Sequence, residues 1–349
     1  MTSGLISKLA AVQGSTWGTA VTLTTAHRKP FKSLSFKHRT ERVQDDTITG
    51  KATRAKPGAG GNLIVDGGFV AQADYRQNEL FIAAILAAAA SPGAASDTSA
   101  YTHVLPFTDD QAGKFLTIGV DHGGTRVEAL KSVKLNRWRF EARTGAPAED
   151  SFDGLGRGVD DSGASSGWTF EYDPSGGGGR AIYLSQGVVR INAEAGAGLD
   201  ATNVILPVRF AMELRRNLTQ DYAQAAESEE PLPSSFADID VELDFFSLTT
   251  ALKDLFREAH QNRTALKMDA VFTGAELAGA ATVYHARKLY FPSLEVLEAP
   301  LDTPGPGPVP CTVRMSAHHA SAVPTGFPTG YDEAMTCVLI NKRSAAILA

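Results

Sequence analysis

In Asp238-Ile239-Asp240-Val241-Glu242-Leu243-Asp244-Phe245, carboxylates and apolar side chains alternate without a break. A strand sends successive side chains to opposite faces. Asp238, Asp240, Glu242 and Asp244 therefore share one face, and Ile239, Val241, Leu243 and Phe245 share the other. Stacked acids repel one another, and interspersed lysines would solvate such a face at lower cost. A uniformly negative face suits a surface past which something negative must slide without sticking. The plainer reading, a solvated strand face, stands beside it.

The other residues with chemical potential resolve into turns and loops. Gly196-Ala197-Gly198-Leu199-Asp200-Ala201 looks like a dinucleotide fingerprint, but Val204 to Phe210 alternates like a strand where a phosphate site needs a helix to start. Gly176 to Gly179 follows Asp173-Pro174 and reads as a loop tip. His318 and His319 lie near Cys311, yet adjacent strand residues face opposite ways and cannot easily share one ion. The pairs Asp45-Asp46, Asp109-Asp110 and Asp160-Asp161 sit in turn-like contexts, where aspartate bonds its own backbone. GxxxxGK[ST], HExxH and nucleophile-elbow sequences do not occur, and neither cysteine carries a catalytic signature. The chain reads as a non-enzyme with no cofactor and no metal site.

A repeated arrangement must position the acidic strand. Leu80, Phe81, Ala84 and Ile85 mark one short amphipathic helix, and Ala251, Leu252, Leu255 and Phe256 mark another at the same spacing. Asp74 with Gln77 forms a capping box for the first helix, Ser91-Pro92-Gly93 stops it, and Ser247 is the N-cap candidate of the second. Strand patterns precede each helix: Leu34 to His38 and Leu63 to Val70, then Leu206 to Phe210 and Ile239 to Phe245. Period two returns after each, in Phe115 to Asp121 and Val127 to Glu141, then in Leu266 to Thr273 and Val283 to Phe291. The fold class is mainly β, with two tandem β-sandwich or barrel modules that each carry one helix.

The expected divisions are an arm at 1–26, a first module at 27–154, a glycine-rich insertion with connecting strands at 155–202, a second module at 203–320 and a C-terminal segment at 321–349. Trp168 to Tyr172 and Ala181 to Ala193 are expected strands within the connecting region. Glu227 to Pro233 and Pro300 to Pro310 are expected exposed loops. Met335 to Ile340 is a last strand, pairing in this subunit or with the next. In the arm, Trp17 and Gly18 are candidates for contact between subunits, because a tryptophan between glycines needs a pocket in its own module or on a neighbour.

The 349 residues, 43% hydrophobic and 21% charged, describe an ordinary globular chain. A net charge of -6 argues against sequence-independent nucleic-acid binding. Cys311 and Cys337 form no CxxC pair, which fits a reducing compartment. Met1 to Ala11 lacks a signal-peptide core, and Phe81 to Ala90 is too short to span a bilayer and reads as a core helix.

The order of these elements resembles the tail tube proteins of long-tailed, non-contractile bacteriophages, in the family whose subunits are two related β-sandwich halves. The resemblance rests on Thr16-Trp17-Gly18-Thr19-Ala20-Val21, on Gly67-Gly68-Phe69 through Leu86 leading to Tyr101-Thr102-His103-Val104, on Val204-Ile205-Leu206-Pro207 through Phe256, and on Val309 to Met315. It implies sheets joined edge to edge into one closed multi-subunit barrel, helices outside, in rings that stack into a conduit for genome ejection. The implied partners are further copies of the chain, the tape measure protein, and the tail terminator and distal tail proteins. Double-stranded DNA passes without specific binding, and no membrane is involved. The implied location is the virion tail tube, assembled in the host cytoplasm. Six modules of four strands, about 4.8 Å apart and tilted about 40°, give a barrel about 48 Å across, wide enough for duplex DNA. Three chains would supply six modules, so a trimeric ring with pseudo-sixfold symmetry is favoured over a hexamer. Asp238, Asp240, Glu242 and Asp244 are then expected to face the bore. The inner tube of a contractile tail or a secretion-like system, and a carbohydrate-binding β-sandwich, are the alternatives.

Overall fold

The computed structural model describes residues 6–43, 59–89, 92–95, 100–123, 127–161, 165–171, 181–222, 227–277, 282–299 and 310–348. In chain order the main elements are β1 (Lys8–Gln13), β2 (Lys37–Val43), β3 (Ala59–Gln72), α1 (Glu79–Leu86), β4 (Tyr101–Pro106), β5 (Leu116–Asp121), β6 (Val127–Arg143), β7 (Glu149–Gly156), β8 (Gly158–Asp161), β9 (Gly187–Ala193), β10 (Arg209–Arg215), β11 (Asp238–Phe245), α2 (Thr250–Asn262), β12 (Leu266–Glu276), β13 (Tyr284–Glu298), β14 (Cys311–His318) and β15 (Thr336–Asn341).

Antiparallel pairing arranges four strands of the first half in the order β2-β3-β7-β6. Four strands of the second half follow the equivalent order, β10-β11-β14-β13. The two sets are joined through β6 and β10, with Arg143 opposite Arg209 at one end and Arg137 opposite Arg215 at the other. A second layer runs β9-β12-β13-β15-β4. β13 serves both layers: Ser293 to Glu298 pairs with β14, and Ala286 to Tyr290 pairs with β15. β6 also changes sheets. Ser132 adopts a positive φ of 52° within it, and the residues before that bend pair with β5 and β8 in a small sheet completed by β1.

Aromatic side chains fill the space between the layers. Phe140 meets Phe272 edge to face at 5.3 Å, and Trp138 stacks on Phe152 at 6.2 Å. Within this core, Asp150 accepts hydrogen bonds from Arg287 Nη1 (3.0 Å), Trp138 Nε1 (3.0 Å) and Asn78 Nδ2 (2.7 Å). α1 lies in the same core, its Phe81 4.6 Å from Phe69 and 5.4 Å from Phe152. Arg216 donates to Ile85 O at 2.7 Å, near the end of α1, and its guanidinium lies 3.9 Å from the Phe107 ring centre. α2 packs Phe256 against Phe245.

β11 alternates as the period-two pattern predicts, with Ile239, Val241, Leu243 and Phe245 buried. Other expectations need correction. α2 is amphipathic, with Phe256 and Ala259 buried, but α1 is buried on every side, including Glu79. α1 ends at Leu86, with Ala87 in the left-handed conformation, so the helix stops before Ser91, which lies outside the described residues. Asp74 accepts from Arg76 N and Gln77 N in the turn ahead of α1 rather than at its N-cap, which is Asn78. α2 is capped by Thr249, whose hydroxyl accepts from Leu252 N, and not by Ser247. Leu34 to His38 is broken at Ser35 and Phe36, against which Gly67 at φ +125° packs too closely for any Cβ.

Further differences lie in the connecting segments. Of the strand expected from Trp168 to Tyr172, the described residues 168–171 form none; Phe170 makes one isolated bridge with Arg28, and Tyr172 lies outside the described residues. The strand expected from Ala181 begins only at Gly187. Within the arm expected at 1–26, Lys8–Gln13 forms β1 and pairs with β5. Asp160 lies in β8, 3.3 Å from Lys131, and not in a turn, whereas Asp110 caps a local turn through Ala112 N. The segment from Glu227 is docked rather than free: Glu227 meets Lys131 at 3.1 Å and Glu230 meets Lys134 at 2.7 Å. Met335 to Ile340 is represented by β15, between β13 and β4 of its own chain. Asp45-Asp46, Gly176 to Gly179 and Pro300 to Val309 lie outside the described residues.

Candidate functional site: a charged sheet face

The face of β6, β10, β11 and β14 that points away from the aromatic core carries the charges. Period two selects them: Arg137, Arg139, Glu141 and Arg143 from β6, and Arg209, Glu213 and Arg215 from β10. Asp238, Asp240, Glu242 and Asp244 come from β11, and Arg314 comes from β14. The antiparallel register sets Arg209 opposite Asp244, Arg215 opposite Asp238 and Arg314 opposite Glu242.

The four carboxylates of β11 therefore do share one face, as expected, but that face is not uniformly negative. Arg209 Nη1 lies 3.1 Å from both Glu242 and Asp244, and its Nε donates to Glu141 at 2.9 Å. Glu213 accepts from Arg137 Nε at 2.9 Å and Nη2 at 3.0 Å, a bidentate pair, and also lies 3.4 Å from Arg139 Nη1. Arg314 reaches Glu298 at 3.5 Å and Glu242 at 4.0 Å. The repulsion along β11 is relieved sideways by arginines of the flanking strands rather than by lysines within it. The same face opens a depression of about 390 Å³ lined by Arg139, Glu213, Arg215, Glu242, Glu298 and Arg314.

Ionisation follows from these neighbours. Partial burial would raise the Glu141 carboxyl, but hydrogen bonds from Arg209, Arg143 and Arg139 outweigh it and hold it down at about 2. Glu213 is lowered in the same way, burial being outweighed by Arg137 and Arg215. Asp240 moves upward instead, through burial and the repulsion of Asp238 and Glu213 against the attraction of Arg215 and Arg314. The chemistry available is a lattice of charges in which Arg137, Arg139 and Arg209 engage carboxylates through all their guanidinium nitrogens and are poorly placed to capture an external anion, whereas Arg143, at the exposed end, is bonded to Glu141 through Nε alone.

The other sequence candidates lie elsewhere. Trp17, half-buried, meets Phe115 of its own chain edge to face at 5.3 Å, and its Nε1 donates to Ser228 O at 3.4 Å. Gly18 donates its N–H to Ser132 Oγ at 2.8 Å, at φ +85° and with Arg157 where a Cβ would stand. His318 and His319 are exposed, Cys311 and Cys337 are buried thiols, and no metal-binding cluster occurs among the described residues. Gly196 to Ala201 forms a turn and a short helical turn leading into a strand, not a helix N-terminus. The arginines of β6 and β10 were the residues missed. Their alternation is visible in Arg137-Trp138-Arg139-Phe140-Glu141-Ala142-Arg143, but β10 meets β11 only through pairs such as Arg209 with Asp244, and β6 joins them only through pairs such as Arg143 with Arg209, which no single stretch of sequence brings together.

No described helix is long and apolar enough to cross a membrane. No curated protein matches the chain. A family model described as phage tail tube protein matches residues 4–317. That match covers both sets of four strands and the charged face between them, and the chain belongs to the phage tail tube protein family.

Proposed function

We propose that copies of this chain close into rings by strand pairing and that the rings stack into the tube through which a long, non-contractile phage tail delivers its genome. The carrying observation is the repeated strand order. Within one chain, the β6 edge of the first set pairs with the β10 edge of the second. The repeat leaves the equivalent edges unused among the described strands: β2 pairs with β3 alone, and Glu295 to Glu298 of β13 pairs with β14 alone. Pairing β13 of one chain with β2 of the next would repeat the internal joint and continue the sheet into a closed barrel. Charge supports this match. β2 carries Lys37, His38 and Arg39, and the end of β13 carries Glu295 and Glu298, just as Arg137, Arg139 and Arg209 meet Glu213 and Glu141 across the internal joint.

On this reading the modules are 27–154 and 203–320, with 155–202 as their connection and 1–26 and 321–349 as flanking segments. Three chains supply six modules and give a trimeric, pseudo-sixfold ring. The aromatic core and both helices lie outside, and Asp238, Asp240, Glu242 and Asp244 face the bore. The tape measure protein occupies the bore before the DNA does, the terminator and distal proteins close the ends, and assembly takes place in the host cytoplasm. Trp17 and Gly18 brace the arm for contact with a neighbouring subunit. The role is structural and not enzymatic. Electron microscopy of the purified chain at rising concentration tests the reading: end-on averages should show hollow rings with threefold or pseudo-sixfold symmetry. Persistent monomers at every concentration would overturn it.

A further inference from the structure

The two ends of β10 carry unlike apolar features. At the Arg209 end, a groove of about 430 Å³ is lined by Tyr183, Leu184, Val189, Ile205, Leu206 and Pro207, with Arg143 on its rim. Leu206 is 83% exposed there, and Phe246 nearby in sequence to β11 is exposed too. Beyond the Arg215 end, Asn217 Nδ2 donates to Phe236 O at 2.7 Å and to Asp238 Oδ2 at 2.8 Å, which fixes a hairpin whose Phe236 is 94% exposed. Leu232 in the same hairpin is also exposed. The seven residues of β10 separate the two features by about 20 Å along the strand. Single exposed apolar residues are ordinary, but grouped ones mark contact surfaces: Phe236 and Leu232 share one hairpin, and Leu206 adjoins an apolar groove.

We propose that Phe236 of one copy seats in the Leu206 groove of the copy stacked on it. This rests on the tube reading, and it names the axial contact that the reading leaves unspecified. The features are complementary in shape, one projecting and one concave, and the groove is roomy enough for an aromatic ring that buries about 150–250 Å² when enclosed. They are complementary in charge as well. Asp238, exposed beside Phe236, would approach Arg143, exposed on the groove rim. They also occupy opposite ends of the same strand, so the contact is heterologous. A heterologous contact directed along an axis does not close on itself and propagates as a filament.

The test compares the full-length chain with Phe236→Ser and Leu206→Ser by electron microscopy, with thermal unfolding as a check of the fold. Both side chains are solvent-exposed, so each variant should unfold at the wild-type temperature. Each should still form rings, while the concentration needed for stacking rises about tenfold or more through loss of an aromatic or aliphatic anchor. Preformed rings of the two variants, mixed, should give stacks of two, because an intact groove on one variant can meet an intact Phe236 only on the other. Normal tubes from either variant would overturn the proposal and leave the tube reading standing. A wild-type protein that makes neither rings nor tubes would overturn the tube reading beneath it.

Discussion

Asp150 accepts from Trp138, Asn78 and Arg287 while wholly buried, and Arg287 beside it is almost equally enclosed. A buried pair of this kind stabilises little relative to an apolar replacement, but removing one partner strands the other charge without solvent. Asp150→Ala should therefore lower unfolding free energy by roughly 3–5 kcal/mol, read as a fall in the urea midpoint. A loss below about 1 kcal/mol would show that water or a neighbour satisfies Arg287. None of this was legible in the sequence, where Asp150 is one acid in a turn-rich stretch and its partners are 12, 72 and 137 residues away. The acidic alternation of β11 was legible because both its faces are written in eight consecutive residues. The arginines that answer it come from other strands, and a single-strand reading could not supply them.

At the scale of elements, α2 offers a sharp comparison. Thr249→Ala removes the hydroxyl that accepts from Leu252 N and should cost about 1 kcal/mol, whereas Ser247→Ala should stay within about 0.5 kcal/mol. Equal losses in chemical denaturation would contradict the observed cap. The existence of both helices was readable from their shared apolar spacing, but their ends were not. Ser247 and Thr249 are equally good capping residues two positions apart, and only the geometry of the turn decides between them. α1 misled as an amphipathic helix because spacing identifies one apolar stripe and says nothing of a second partner. Here β6 and β4 both pack against it, and Arg343 and Asn341 from the C-terminal segment bond even its Glu79. Among the described residues 168–171, strand-forming side chains make one bridge, Phe170 to Arg28, so composition alone overstated the strand.

Across the whole molecule, the charged face governs how an assembled tube would treat DNA. Glu213 engages Arg137, Arg139 and Arg215 together. Glu213→Gln should leave Arg215 seeking another anion, while Arg137 keeps Asp153 and Arg139 keeps Glu141, so that variant tubes retain more duplex DNA in co-sedimentation at low salt than wild-type tubes do. With about one phosphate neutralised per site, the log–log salt slope should be about -1 per site. Equal, negligible retention by both would sink the idea that the carboxylates keep the bore non-adhesive. The tandem repeat was legible because element order survives where sequence similarity does not. The joint between its halves was not, since strand neighbours are chosen by non-local pairing. That joint has a consequence for the kinetics of assembly. In a ring of n chains built from 2n repeated units, half of the 2n lateral seams are already sealed by folding, so n seams remain, formed by n-1 encounters and one closure within the assembled chain of subunits. The tether also holds one unit beside the next at an effective concentration far above that of free subunits, so ring formation is less sensitive to dilution than it would be for separate single-unit chains.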